Sequence, residues 1–222
     1  MKRKIKITIP DLGSVSGIIQ LPENPWCLLV LAHGAGAGME HPFMEQVAKR
    51  LETTGVGTLR FNFLYMENGG GRPDLPHVAF KVIRAAVDRA HTYAGSIPVI
   101  GGGKSFGGRM FSQVMAQDDP PKLDALVYFG FPLHAPGKPG TERAAHLSKI
   151  KVPMLFLQGT RDTLAQIDLI EEVAGGLRKG TLAKFEDADH SFHVPKRSGK
   201  TDTQVLDELV TQTAGWLRKK LN

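Results

Sequence analysis

The chain has 222 residues, 41% of them hydrophobic and 23% charged, with 25 glycines and one cysteine. This composition excludes a disordered, fibrous or disulfide-scaffolded protein, and the length suits one large α/β domain, residues 1–222, better than two halves. The net charge of +6 hints at nucleic acid, yet Lys2, Arg3, Lys4, Lys6, Arg218, Lys219 and Lys220 supply seven of the 28 basic residues, leaving 21 basic against 22 acidic ones; the excess sits on the two ends and not along a groove, so no nucleic-acid partner is expected.

Strand and helix signals alternate from the start. Residues 4–10 and 14–21 alternate apolar with polar or small residues, as strands near a sheet edge do, with Gly13 at the turn between them. The opening Met-Lys-Arg-Lys-Ile-Lys-Ile is followed by no apolar core, so a secretory signal is not expected. Residues 26–32 form the longest strictly apolar run, far short of a membrane span and right for a strand buried on both faces. Within it Cys27 has no partner for an internal disulfide, which fits a reducing cytoplasm. A helix is predicted over 42–51, a strand over 56–63 and a helix over 77–93, where Val78, Val82, Ile83, Ala86, Val87 and Ala90 share one face. Strands over 97–101, 125–129, 153–157 and, more weakly, 182–186 then alternate with helices over 106–116, 164–177 and 203–220. This βαβ rhythm predicts an α/β fold with a mostly parallel sheet of seven or eight strands and helices on both faces.

Two glycine clusters follow strands, and neither is a nucleotide loop. Gly101-Gly102-Gly103-Lys104-Ser105 ends like a phosphate loop, but the glycine required five residues before Gly103 is Pro98. In His33-Gly34-Ala35-Gly36-Ala37-Gly38 the third glycine of a dinucleotide fingerprint would fall on Met39. Gly103-Lys104-Ser105-Phe106-Gly107, by contrast, is a G-x-S-x-G between a strand and a helix, the pattern of a nucleophile elbow. Such a turn lifts the serine hydroxyl clear of the sheet, and the residues two before and two after it crowd each other, so glycine there has a steric reason.

An elbow serine needs a histidine to take its proton and a carboxylate to orient the ring. Asp162 follows the strand over 153–157, and His190 follows the strand over 182–186, in the chain order serine, acid, histidine. Asp168 and Asp187 compete with Asp162, and His193 competes with His190. All three chosen residues fall at the carboxyl edge of the sheet, where ligands bind in open α/β folds. The loop after residue 32 is expected to supply one oxyanion-hole amide, Ala35 with Gly36 as the alternative, and Phe106 the other. His33 is read as a structural histidine that braces this loop. Tyr65, Met66, Phe131, Leu133 and Phe192 fall on loops at the same edge and are candidates for the substrate pocket. Asp187, Asp189, His190 and His193 lack the spacing and the cysteine or H-E-x-x-H partners of a metal site, so no metal is expected.

The blocks H-G-A-G at 33–36, R-F-N-F at 60–63, G-G-K-S-x-G-G-R at 102–109, G-x-x-D at 159–162 and D-H-S-F at 189–192 occur in order over almost the whole chain. In this combination the sequence resembles the α/β-hydrolase superfamily, close to the dienelactone-hydrolase-like enzymes and their bacterial predicted-hydrolase branch. The resemblance implies Ser105 as nucleophile, Asp162 as acid and His190 as base. It departs from dienelactone hydrolases that use a cysteine nucleophile, since Cys27 lies mid-strand. Lipases and many peptidases of the fold carry a cap between the strands that here end near 129 and begin at 153. The intervening two dozen residues have room only for a short helix around 142–148, so a lidless, open site is expected. The expected activity is hydrolysis of small or short-chain acyl esters without metal or organic cofactor. Acyl transfer, thioester cleavage and a non-catalytic binding module are the alternatives, and no membrane partner is expected.

Overall fold

A computed structural model describes residues 1–221. The apolar runs become the strands β1 (Lys2–Ile9), β2 (Gly13–Gln20), β3 (Cys27–Ala32), β4 (Val56–Phe61), β5 (Val99–Lys104), β6 (Ala125–Phe129), β7 (Met154–Gly159) and β8 (Gly180–Phe185). They form one sheet in the order β1-β2-β4-β3-β5-β6-β7-β8. From β4 to β8 each neighbouring pair is parallel, while β1–β2 and β2–β4 are antiparallel. The helices are α1 (Pro42–Thr53), the short α2 (Leu64–Glu67), α3 (Pro76–Ala94), α4 (Phe106–Met115), α5 (Ile167–Gly176) and α6 (Asp202–Leu221).

Every residue of β3 and β4 is buried, as a strand covered on both faces requires. The period of two splits β3 between two cores. Leu28, Val30 and Ala32 join a cluster that reaches Val82 of α3, Phe111 of α4 and Ile170 of α5. Cys27, Leu29 and Leu31 join a second cluster with Val47 of α1 and Leu209 and Leu217 of α6. Each fully buried Leu, Ile or Phe contributes about 1.5–3 kcal/mol relative to exposure, so both layers are needed to hold the sheet.

The N-terminal cations have a structural setting. β1 is an edge strand, and Lys2 and Lys4 pair with Glu45 and Glu40 at 3.0 Å. A charged edge resists pairing with a second sheet. At the other end Arg218 lies over the Trp26 ring, 4.5 Å from its centroid. No helix of the described residues is long and apolar enough to cross a membrane. Between β6 and β7 the chain makes two one-turn 3-10 helices, Glu142–Ala144 and Leu147–Lys149, and no cap.

Candidate active site

The site is built at the carboxyl end of β5. Ser105 stands between β5 and α4 with φ 49° and ψ −113°, a conformation that costs a non-glycine residue on the order of 1–3 kcal/mol. Its amide is held by the Phe129 carbonyl at 3.1 Å. The flanking glycines are sterically required. A Cβ at Gly103 would come within 2.6 Å of the Ala32 carbonyl oxygen, and one at Gly107 within 2.6 Å of the His33 carbonyl oxygen. α4 can therefore start directly behind β5 and β3, with the serine hydroxyl above the sheet edge.

His190 and Asp162 meet this serine from the loops after β8 and β7. His190 Nε2 lies 2.8 Å from Ser105 Oγ, and His190 Nδ1 lies 2.7 Å from Asp162 Oδ2. Asp162 is buried, at 4% exposure, and its oxygens are fully engaged. Oδ2 also accepts from Gln158 Nε2 at 2.5 Å, and Oδ1 accepts from the Leu164 amide at 2.7 Å. Gln158 is in turn fixed by the Phe131 amide, which donates to its Oε1 at 3.0 Å. A buried carboxylate that accepts three hydrogen bonds is rigid in orientation. The competing residues fall elsewhere: Asp168 is exposed in the first turn of α5, Asp187 caps a turn through its amide and Thr160, and His193 pairs with Asp202 at 2.6 Å.

The loop after β3 is gripped by the segment that ends β4. The Phe63 amide donates to His33 Nε2 at 3.0 Å, so the ring proton sits on Nδ1 and is donated to the Gly34 carbonyl at 2.8 Å. Arg60 Nη1 holds the Met39 carbonyl and Asn62 Oδ1 accepts from the Met39 amide, both at 2.9 Å. The Gly36 amide donates to the Tyr65 hydroxyl at 3.3 Å. Gly36 is thereby occupied, whereas the amides of Ala35 and Phe106 have no hydrogen-bond partner among the described residues.

His33 is fully buried, and burial lowers its pKa to about 4 against the Gly34 hydrogen bond that raises it. The unfolded chain therefore takes up a proton near pH 6.5 that the folded chain refuses until about pH 4. Stability from this residue is complete above pH 6.5 and lost as pH falls through that window, by on the order of 3 kcal/mol. Urea unfolding of wild type and His33→Gln between pH 7 and pH 4.5 checks this. The variant should lose that part of the slope, and identical slopes would remove His33 as its source.

A cavity of about 660 Å³ opens beside Ser105 and His190. Its apolar wall comes from Phe43 and Met44 of α1, Leu164, Phe192, Leu206 of α6, and Ala35 of the loop after β3. Of the residues expected to line it, Phe192 does. Tyr65, Phe131 and Leu133 do not: they are buried in the cluster on the opposite face of the sheet, with Met66 packed against it. Tyr65 instead braces the back of the loop after β3.

Residues 26–218 match the family model described as an alpha/beta hydrolase domain. The chain belongs to the alpha/beta hydrolase family. Solved structures similar to this alpha/beta hydrolase include a dienelactone hydrolase from Anabaena variabilis, 19% identical, with a TM-score of 0.78 over 99% of this chain and 98% of that one. A serine hydrolase without lid from Xanthomonas campestris is also 19% identical, with a TM-score of 0.73 over 95% of this chain and 94% of that one. An esterase domain of a Rhodothermus marinus protein is 16% identical, with a TM-score of 0.74 over the full length of both.

This alpha/beta hydrolase has no cap between β6 and β7, and what walls the site is α1, from Pro42, and the start of α6. These walls were absent from the sequence expectations. Phe43 carries a signal that could have found them: it directly follows the proline that opens α1, one turn beyond the H-G-A-G-A-G loop. Among the described residues no group of three or more histidine, cysteine, aspartate or glutamate side chains is arranged to hold a metal ion.

Proposed function

We propose that the chain works as a single-domain serine carboxylic-ester hydrolase on small or short-chain acyl esters. The observation that carries this proposal is the unbroken hydrogen-bonded chain from Ser105 through His190 to the buried Asp162, at the wall of an apolar cavity. His190 takes the Ser105 proton at Nε2 as Oγ attacks the ester carbonyl, and Asp162 holds the ring with its other proton on Nδ1. The unpaired amides of Ala35 and Phe106 receive the oxyanion, each worth on the order of 3 kcal/mol in the transition state. His190 then protonates the leaving alcohol and, in the second half, activates water to release the acyl group from Ser105. The mechanism asks for no metal or organic cofactor.

The size and lining of the cavity support the substrate class. Some 660 Å³ walled by Phe43, Met44, Leu164, Phe192 and Leu206 suits a short apolar acyl group. The esterase and serine-hydrolase neighbours add to this at the level of the fold. A series of p-nitrophenyl esters tests it: kcat/KM is expected to peak at short chains and fall steeply beyond them. A flat profile extending to long chains, or no turnover of any ester by folded protein, would overturn it. Product analysis with an added alcohol separates hydrolysis from acyl transfer to that alcohol.

A further inference from the structure

Lys104 precedes the elbow serine and is left unused by the mechanism above. It is the last residue of β5, partly buried, and lies against the cavity. Its Nζ donates a hydrogen bond to the backbone carbonyl of His190. The same ammonium lies 5.4 Å from the centroid of the Phe192 ring and 5.9 Å from that of Phe43. Those two rings stack on each other with centroids 5.9 Å apart and planes inclined by 12°. One side chain therefore ties together the strand that carries Ser105, the loop that carries His190 and the helix α1 that walls the cavity.

We propose that Lys104 is the positioning residue that fixes the His190 loop relative to Ser105. The proposal rests on the triad assignment and deepens it. The Ser105–His190 hydrogen bond is broken and remade in each half of the reaction, so it cannot by itself keep the base in place. The Lys104 bond to the His190 carbonyl persists throughout, because neither of its atoms reacts. Phe192 is held at φ 66°, Asp189 organises the turn from within through its carboxylate, carbonyl and amide, and Asp202 anchors His193 and Val194, so the Lys104 bond is the tie that joins the His190 backbone to the strand carrying Ser105. A displacement of the base by about 1 Å costs on the order of 10²-fold in rate.

The charge of this lysine makes the role testable by pH. Burial lowers its pKa to about 8, with Asp162 and Asp189 opposing the shift. The titratable groups around it are those two carboxylates, His190 and His193 from the loops after β7 and β8, His41 at the start of α1, and Asp202 at the start of α6. Below pH 8 the ammonium donates a charge-assisted bond and is attracted to both ring faces. Above it the neutral amine keeps only a weaker bond. Tightness of the His190 loop, and with it kcat, is thus present below pH 8 and declines as pH rises through that value.

The experiment is the pH profile of kcat and KM for p-nitrophenyl acetate between pH 6 and pH 10, for wild type, Lys104→Met and Lys104→Arg. Wild type should show a fall in kcat with a midpoint near pH 8 and little change in KM. Lys104→Met, which keeps the stem and loses the donor, should have kcat lower by about 10- to 100-fold at pH 7, with no fall near pH 8. Lys104→Arg keeps a permanent charge and should recover part of kcat, again without that fall. A Lys104→Met enzyme with wild-type kcat and an unchanged profile would overturn the proposal. So would a wild-type fall near pH 8 that appears in KM alone, since Lys104 would then be touching substrate. If Lys104→Met does not fold, the wild-type and Lys104→Arg profiles decide. Labelling of wild-type Ser105 by a fluorophosphonate is run beside them: no label sinks the triad assignment itself, whereas normal label with unaltered variants sinks only the role of Lys104.

Discussion

Ser105→Ala is expected to lower esterase turnover by about 10⁴- to 10⁶-fold while leaving the fold intact. Ser105 lines the cavity, and removal of its hydroxyl deletes one hydrogen bond to a partly exposed imidazole. The backbone at 105 keeps its φ of 49° in either case, so alanine inherits the strain of serine and adds none. Glycine would relieve it. Ser105→Gly should therefore melt higher than wild type by an amount equivalent to about 1 kcal/mol, and be just as inactive. That pairing separates a strained catalytic turn from an ordinary surface serine, where glycine would destabilise. Intact-mass measurement after exposure to a fluorophosphonate reads the chemistry: a single adduct on wild type and none on either variant. An adduct that survives in Ser105→Ala would place the reactive group elsewhere and end the assignment.

The parts of the fold that the sequence made legible are those with a strong periodic signal. β3 and β6 are apolar throughout because both sheet faces are covered, and α3 shows its buried stripe at helical spacing. β5 runs over Val99–Lys104, a few residues beyond the 97–101 that the apolar pattern predicts. Three consecutive glycines carry no strand propensity; they lie in a strand whose neighbours leave no room for side chains, with Phe111 of α4 against Gly101, Val127 of β6 against Gly102 and Ala32 of β3 against Gly103. The helix read from 164 begins at Ile167, since the amides of Leu164 and Gln166 are taken by Asp162 and by His134. α2, four residues long, is below what periodicity can detect. At the site, the three side chains that meet there are legible because an elbow, a strand-end aspartate and a strand-end histidine are local patterns. The pocket wall was not. Tyr65, in the short α2, and Phe131 and Leu133, on the loop after β6, lie at the correct edge, but whether a residue of such a connection turns to one face of the sheet or the other depends on packing that has no local period. They turned toward α3 and α4, while the cavity opened on the side of α1 and α6.

Asp162→Asn should cost nearly as much activity as losing the serine's partner outright, about 10⁴-fold in kcat/KM, for a reason visible in the hydrogen bonds around it. An asparagine could in principle turn its oxygen toward His190 and preserve the ring's tautomer. Here it is prevented from doing so. The Leu164 amide donates to the Oδ1 position and demands an acceptor there, so the asparagine oxygen is drawn to that side. The NH₂ group is then left facing His190 Nδ1 and Gln158 Nε2. Gln158 cannot flip to offer its own oxygen, because that oxygen already accepts from the Phe131 amide in a fully buried setting. The imidazole must accept at Nδ1, which moves its proton to Nε2 and leaves nothing to take the proton of Ser105. Two donors facing each other in the interior also destabilise the variant by about 1–3 kcal/mol. The corresponding changes Asp168→Asn and Asp187→Asn touch neither histidine nor cavity and should retain turnover. Steady-state ester hydrolysis of the three variants, with urea unfolding of each, checks the whole chain of inference. Retained activity in Asp162→Asn would show that the base takes its orientation from some other group.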